Sequence, residues 1–280
     1  MAEWPAGSGE WPETAAFYSS AKRIRRRTVS PSAVPAVPEQ FPPIWSVIVP
    51  VRDEAGNIAP LAAEIDTAMA VHGPYELIVV DDGSRDGTAA ELMTVASALP
   101  NLHVQTHRRS CGQSQALITG AIAARGVWII TLDGDGQNDP VDIAKLMAAL
   151  SAQSDAQRAR TMVIGRRARR KDGGLKTWAS AVAWAARAVV LADATPDAGC
   201  GLKLLSRELF LALPRFDALH RFMPVLVRRA GGVVVSVDVA HRPRRHGRSK
   251  YGIVKRGLVG VVDLLGVWWL VRRHTLPPQS

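Results

Sequence analysis

The residues best able to do chemistry sit close together in TLDGDGQNDP, Thr131 to Pro140. An apolar run, Val127 to Leu132, leads straight into Asp133, Asp135 and Gln137. Side chains two apart on an extended segment point the same way. Asp133 and Asp135 are therefore expected to share one hard cation, with Gln137 adding a third oxygen. An oxygen-only donor set suits Mg²⁺ or Mn²⁺ better than zinc, and such a cation bridges to the phosphates of a substrate. The plainer alternative is an acidic turn, since DG and DP are common turn dipeptides. The rest of the chain decides between the two.

The elements that must position these residues are legible in the hydropathy pattern. Short β-rich runs occupy Ser46–Val51, Glu76–Asp81, Leu102–Thr106, Val127–Leu132, Met162–Gly165 and Val233–Ala240. Helical patterns fill Ile58–Val71, Thr88–Ala98, Gln113–Ala124 and Val141–Ala152, with longer helices after Gly173. Strand and helix alternate with short connections, which predicts an α/β fold: a Rossmann-like, mainly parallel sheet with helices on both faces. In such sheets ligands bind beyond the carboxyl ends of the strands. Two further strand ends add carboxylates and backbone amides there: Asp53 and Glu54, in the segment Pro50–Asn57 that ends the first, and Asp81 and Asp82 at the end of the second. Asp86 reads as structural, a capping residue for the following helix. The chain has neither a GxxxxGK[ST] P-loop nor a GxGxxG turn, so neutralisation of a diphosphate falls to the cation and to basic side chains.

The bulk properties agree with an anionic partner. The 280 residues carry a net charge of +10. That charge points to a phosphorylated substrate, acidic lipid or nucleic acid. The basic residues come with no helix-turn-helix, zinc-finger or RRM signature, which argues against nucleic acid. Cys111 and Cys200 have no metal-site spacing and no evident pairing, which suits a reducing compartment. Residues 1–44 read as a disordered, proline-containing tail with a basic KRIRRR segment, Lys22–Arg27, able to meet an anionic membrane surface. No secretory signal and no run of 18 apolar residues is evident. Leu258–Val271, with Trp268 and Trp269 and followed by Arg272 and Arg273, has the length of an interfacial helix and not of a span. The division expected is a tail over 1–44, a catalytic domain over 45–252, and an interfacial helix and tail over 253–280.

Several segments, taken in order, resemble family 2 glycosyltransferases of the GT-A fold, and in particular the polyprenyl-phosphate sugar synthases, the group that contains dolichol-phosphate mannose synthase. They are VIVPVRDEAGNI, ELIVVDDGSRDGT, CGQSQALITG, IITLDGDGQNDP, DAGCGLKLL, HRFMP and HRPRRHGRSKYG, within a resemblance that runs from about Trp45 to Arg273. The resemblance implies metal-dependent, inverting transfer of a sugar from a GDP- or UDP-linked donor to a polyprenyl phosphate at the cytoplasmic membrane face. It implies Asp133, Asp135 and Gln137 as ligands of Mg²⁺ or Mn²⁺. Pro50, Arg52, Glu54, Asp81, Asp82 and Asp133 would serve the nucleotide. Arg167, Ser249 and Lys250 would meet the acceptor phosphate, and Asp135, Arg167, Arg244 and Lys250 would carry the catalysis.

A lipid phosphate is largely dianionic at pH 7, so it needs no general base. A hydroxyl acceptor, the alternative, would need one, and Asp197, Glu208, Asp217 and Asp238 are available. Two departures stand out: Ala181 and Trp184 replace an Arg and an Asn common in the family, with Arg187 nearby, and Arg52 replaces a commoner aromatic residue. Relatives often carry two transmembrane helices after this point, whereas this chain ends first, so a peripheral attachment is expected.

Overall fold

The structure, a computed structural model, describes residues 43–167, 187–243 and 253–273, with side chains of the last segment described from residue 260. Residues 1–42 of the expected tail, Arg244, Ser249 and Lys250 lie outside the described residues.

Seven strands form one sheet in the order β3-β2-β1-β4-β6-β5-β7. They are β1 (Trp45–Val51), β2 (Tyr75–Asp81), β3 (Leu102–Thr106), β4 (Trp128–Thr131), β5 (Thr161–Arg167), β6 (Lys203–Ser206) and β7 (Val233–Val239). The first four pair in parallel, as do β5 and β7. Only β6 is reversed, antiparallel to β4 on one side and to β5 on the other. The helices are α1 (Ile58–Met69), α2 (Thr88–Ala98), α3 (Gln113–Ala123), α4 (Ile143–Ser151), α5 (Asp155–Arg158), α6 (Arg207–Ala212), α7 (Leu219–Arg229) and α8 (Ile253–Arg272), with a 3₁₀ turn over Pro140–Asp142.

The central strands are β-branched and buried on both faces, as a parallel sheet sandwiched by helices requires. Val47, Ile48, Ile129 and Ile130 are fully buried, and each such side chain contributes about 1.5–3 kcal/mol relative to an exposed one.

Pro50 stands in central β1, where a missing N–H should be costly. The register removes the conflict. β1 pairs with β4 only as far as Ile48↔Thr131, while its pairing with β2 continues to Val51↔Asp81. Val51 O accepts from Asp82 N and Ile48 O from Leu132 N, so the Pro50 nitrogen faces the side that β4 has already left. β4 departs over Gly134. A Cβ at that position would lie 2.5 Å from Val51 Cγ1 and 2.9 Å from the Pro50 carbonyl, so only glycine fits.

Five expectations change at this point. The fourth strand ends at Thr131 instead of Leu132, so Asp133 and Asp135 lie in a turn and not along an extended strand. The first helix ends at Met69 and the last strand at Val239. β6 is an element that no hydropathy pattern announced. The last helix is 20 residues long, starting five residues before Leu258. No helix among the described residues is long and apolar enough to cross a membrane.

Candidate functional site

Past β4 the chain folds into a turn tied down by its own side chains. Asp135 accepts from Gln137 N at 3.1 Å, Asn138 Oδ1 accepts from Asp133 N at 3.4 Å, and Asp139 accepts from Val141 N at 3.1 Å, capping the 3₁₀ turn. The segment after β7 closes over this turn. Arg242 N donates to Gln137 O at 2.9 Å, and the Arg242 guanidinium bridges Asp139 at 2.7 Å and Glu64 at 2.6 Å. Gln137 Nε2 lies 3.5 Å from both His241 Nε2 and Arg242 O, so the Gln137 amide stands at the seam.

Asp133 and Asp135 are brought together despite the turn. Burial, with the nearby Asp135 charge adding to it, pushes the Asp133 carboxyl above the usual carboxylate range, against the pull of Lys203 and Arg167. Gln113, the first residue of α3, donates to Asp133 at 2.8 Å. Gly201 lies against the same carboxylate: a Cβ there would sit 2.3 Å from Asp133 Cγ and Oδ2. Two repelling carboxylates, one cradled by a glycine, fit a hard divalent cation.

A cavity of about 640 Å³ opens beside Asp133. Its walls include Arg167, Arg187, Lys203, His220 and Arg221, so donors dominate. Arg167 is engaged bidentately by Asp197, at 2.7 and 2.8 Å. That pairing raises the Arg167 pKa and, from the other side, outweighs burial to lower that of Asp197. An ionised, paired Asp197 makes a poor general base, as does Asp238, which is exposed and held by Arg166 at 2.5 Å. Arg187 reaches the wall from the position the sequence left open. It pairs with fully buried Asp193, shared with Arg228, and stacks 5.7 Å over Phe222.

Lys203 is 3% exposed and donates to the Cys200 carbonyl. Burial lowers its pKa, and the neighbouring Asp133 opposes that. His220 is half-buried, with its Nδ1 2.8 Å from Ser114 Oγ. Burial, with Lys203 and Arg221 adding to it, takes its pKa down to about 3. Its helix is capped by Ala218 with no side-chain contribution, so His220 is not a cap. Lys203, Gln113 and Gly201 were not singled out in the sequence as site residues, whereas Arg187 was named there as a neighbour of the two departures. Only GCGLKLL, flanked by glycines, hinted at the segment.

The other predicted nucleotide residues, Pro50, Arg52, Glu54, Asp81 and Asp82, do not line that cavity. Arg52 donates to Ser110 at 2.8 Å, and Ser110 in turn to Asp82 at 2.7 Å. Asp82 is buried and also accepts from His107 Nδ1, Cys111 N and Gly112 N at 2.7–2.9 Å. Burial alone would raise its pKa, and the four donors outweigh that. A carboxylate offers about four acceptor positions, and here protein donors take all of them. Asp82 therefore holds the 107–112 loop in place, where the sequence reading gave it a ligand. Among the described residues, Asp82, His107 and Cys111 also form the one group of three His, Cys, Asp or Glu ligands within 4.8 Å of one another, but this hydrogen-bonding leaves it little capacity for an ion.

Asp81 is likewise buried and accepts from Ser84 N and Oγ at 2.9 and 2.5 Å. Glu54 accepts from Asn57 at 2.7 Å. Pro50 stands half-buried at the end of β1. Asp86 is structural, as expected, accepting from Thr88 and from Ala55 N.

A mainly parallel α/β sheet with paired carboxylates past a central strand, next to a donor-lined cavity, is the arrangement of an enzyme that handles a phosphorylated donor. The model of glycosyl transferase family 2 matches residues 46–213, and the chain belongs to that family. It is 33% identical over 242 residues to a dodecaprenyl-phosphate galacturonate synthase of Rhizobium johnstonii, covering 83% of this chain and 68% of that protein. It is also 33% identical over 215 residues to an undecaprenyl-phosphate 4-deoxy-4-formamido-L-arabinose transferase of Photorhabdus laumondii, covering 75% of this chain but 63% of that one. The chain thus spans about two thirds of the length of these relatives. Among solved structures, a mannosyltransferase from Pyrobaculum calidifontis in complex with GDP-Man and Mn²⁺ superposes with a TM-score of 0.60 at 20% identity, covering 85% of this chain and 67% of that one. Glucosyl-3-phosphoglycerate synthase from Mycobacterium tuberculosis, in complex with UDP, gives 0.60 at 19%, covering 81% and 80%. The fold is GT-A, and the protein is a glycosyltransferase.

Proposed function

We propose that this chain transfers a sugar from a nucleotide-sugar donor to a polyprenyl phosphate, with inversion at the anomeric carbon. The observation that carries the reading is the cavity beside Asp133, whose walls are set with four cationic groups, Arg167, Arg187, Lys203 and Arg221, against the one carboxylate of Asp133. A neutral hydroxyl acceptor needs a carboxylate base at such a wall. The candidates are engaged elsewhere or lie off it: Asp197 is paired with Arg167, and Asp238 with Arg166. The names of the two relatives, both polyprenyl-phosphate sugar transferases, support the same acceptor class.

Asp133 and Asp135, with the Gln137 amide, would hold Mg²⁺ or Mn²⁺. The ion's contribution when bound is Lewis-acid stabilisation of the leaving diphosphate. Everything else falls to the chain's own groups. The edge formed by Pro50, Arg52 and Glu54 would receive the nucleoside, with Asp81 and Asp82 fixing the loops that shape it. Arg167, oriented by Asp197, presents charge to the acceptor phosphate. Arg244, Ser249 and Lys250 follow the Arg242 anchor and are proposed to complete the phosphate contacts. Catalysis is then positioning plus electrostatics, with no covalent intermediate.

Residues 45–252 are proposed as the catalytic domain and α8 as the element that lies on the cytoplasmic face of the membrane. The test is a radiolabel transfer assay with UDP- and GDP-linked sugars, Mn²⁺, and undecaprenyl phosphate present or omitted. Label should enter an organic-soluble product only with the lipid phosphate. Label entering only alkali-stable, hydroxyl-linked glycan would refute the reading.

A further inference from the structure

We propose that His220 is a substrate-binding residue, donating through Nε2–H to an oxyanion held in the cavity, with Ser114 setting its tautomer. The assignment follows from the hydrogen bonds of one hydroxyl. Ser114 Oγ accepts from the His220 backbone N–H at 3.3 Å and lies 2.8 Å from the ring Nδ1. A hydroxyl has a single proton, and among the described residues Ser114 Oγ has no acceptor for it other than Nδ1. Nδ1 therefore accepts, and the ring proton sits on Nε2. Nε2 has no protein partner among the described residues, and the ring lines the cavity.

Ser114 belongs to α3 and His220 to α7, 106 residues apart, so the pair also joins the two helices at the cavity rim. The ring stays neutral because burial and the charges of Lys203 and Arg221 oppose protonation. It can donate from Nε2 without carrying charge, and a proton on Nδ1 would leave the Ser114 hydroxyl without its acceptor.

The ligand chemistry follows from what surrounds the ring. Apart from the Asp133 carboxylate, the charged groups that line the same space are Arg167, Arg187, Lys203 and Arg221, all donors. An oxyanion satisfies such a wall, whereas a neutral hydroxyl would leave donors unpaired. Two sources supply that chemistry in the reaction proposed above, on which the choice of ligand rests: the phosphate of the acceptor, or a carboxylate on the transferred sugar.

Two experiments decide. Nitrogen-resolved imidazole spectra of the full-length protein should show His220, identified by its absence in His220→Gln, as the Nε2–H tautomer. Ser114→Ala should shift it toward a mixture. An Nδ1–H tautomer in the wild type overturns the proposal. In kinetics, His220→Leu should lose roughly ten- to a hundredfold in kcat/KM, the range for a hydrogen bond to a charged group. His220→Gln, which retains an N–H near the same place, should recover most of that loss, with both variants melting as the wild type does. A loss expressed in the KM for undecaprenyl phosphate with every donor assigns the oxyanion to the acceptor. A loss confined to UDP-glucuronate, with UDP-glucose unaffected, assigns it to the sugar. Equal rates for Leu, Gln and wild type overturn the proposal. Failure of the wild type to transfer any sugar counts against the functional reading alone. The His220 assignment is then decided by the spectrum and by titration with inorganic phosphate, which should move the Nε2–H resonance; an unmoved resonance overturns it.

Discussion

At the scale of single residues the site turns on what surrounds Asp133. The two aspartates and the glutamine past an apolar run were visible in the sequence, but an acidic turn fits them as well, and only the neighbouring segments favoured a cation site. The partners of Asp133 were not readable. Lys203 pairs in register with Thr131 across an antiparallel ladder, 72 positions away, and within KLLS it sits among leucines with no pattern of its own. Gly201 is equally silent in sequence, yet it makes a sharp prediction. A Cβ there would fall 2.3 Å from the Asp133 carboxylate, so Gly201→Ala must push that carboxylate aside while leaving the strands alone. Mn²⁺-dependent UDP binding should weaken about 10- to 100-fold, the usual cost of disturbing a group that orients a ligand, with cooperative unfolding retained. Asp135→Ala should abolish the metal-dependent part of donor binding in calorimetry. Unchanged affinity in Asp135→Ala would remove these carboxylates from the metal site.

At the scale of elements most of the fold was legible, because buried parallel strands and amphipathic helices carry different periods. Leu102–Thr106 fell where expected, and β1, β2, β5 and β7 within a few residues. β6 escaped because a four-residue strand buried throughout shows no alternation. The extended reading of Asp133 and Asp135 failed for a related reason: β4 ends where Gly134 must cross Pro50, and glycine geometry of that kind depends on a neighbouring strand. The Asp81-Asp82 pair was read as ligand-facing because polar residues at a strand end advertise only their chemistry. Which donors reach them was decided by the 107–112 loop, whose path no local pattern fixes. Packing between elements can be tested at Gly120. A Cβ there would meet Ile48 Cγ2 at 2.5 Å and Val80 Cγ2 at 3.3 Å, where α3 lies on β1 and β2. Gly120→Ala overfills that contact, and we expect a loss of about 1–3 kcal/mol, read as a lower urea midpoint at unchanged slope. An unaltered midpoint would mean that α3 can shift away from the sheet at little cost.

At the scale of the whole molecule, acid stability and the proposed membrane attachment depend on where charge and apolar surface are placed. Glu76 and Asp193 are buried carboxylates. Burial alone would raise both pKa values, but donors from Ser46, Arg125 and Gly126 in one case, and Thr195, Arg187 and Arg228 in the other, bring them below normal. A depressed folded pKa gives stability that is present above the unfolded value, about 3.9–4.3, and lost as pH falls through the folded one. Melting temperature should hold down to about pH 5 and then drop, and the drop should be shallower in Glu76→Gln.

The proposed attachment would rest on α8. Val267 is buried against the core, and Arg229 donates to the Leu270 carbonyl at 3.0 Å, so one face of the helix is fixed to the domain. Val261, Val262, Leu265 and Trp269 form a stripe 56–69% exposed at helical spacing. Arg272, stacked 4.4 Å from the Trp268 ring, and Arg273 close it with positive charge. Burying one such apolar side chain in the headgroup boundary is worth up to about 1.5–3 kcal/mol, and each basic residue near anionic lipid about 1 kcal/mol. Leu265→Ser with Trp269→Ser should therefore cut co-sedimentation with phosphatidylglycerol-containing vesicles at least about tenfold without lowering the melting temperature, because neither residue belongs to the buried face. The wild type should bind neutral phosphatidylcholine vesicles more weakly and lose anionic binding as salt rises. If the double variant sediments as the wild type does, the stripe is not the membrane-facing surface, and the basic residues near the termini become the attachment to examine.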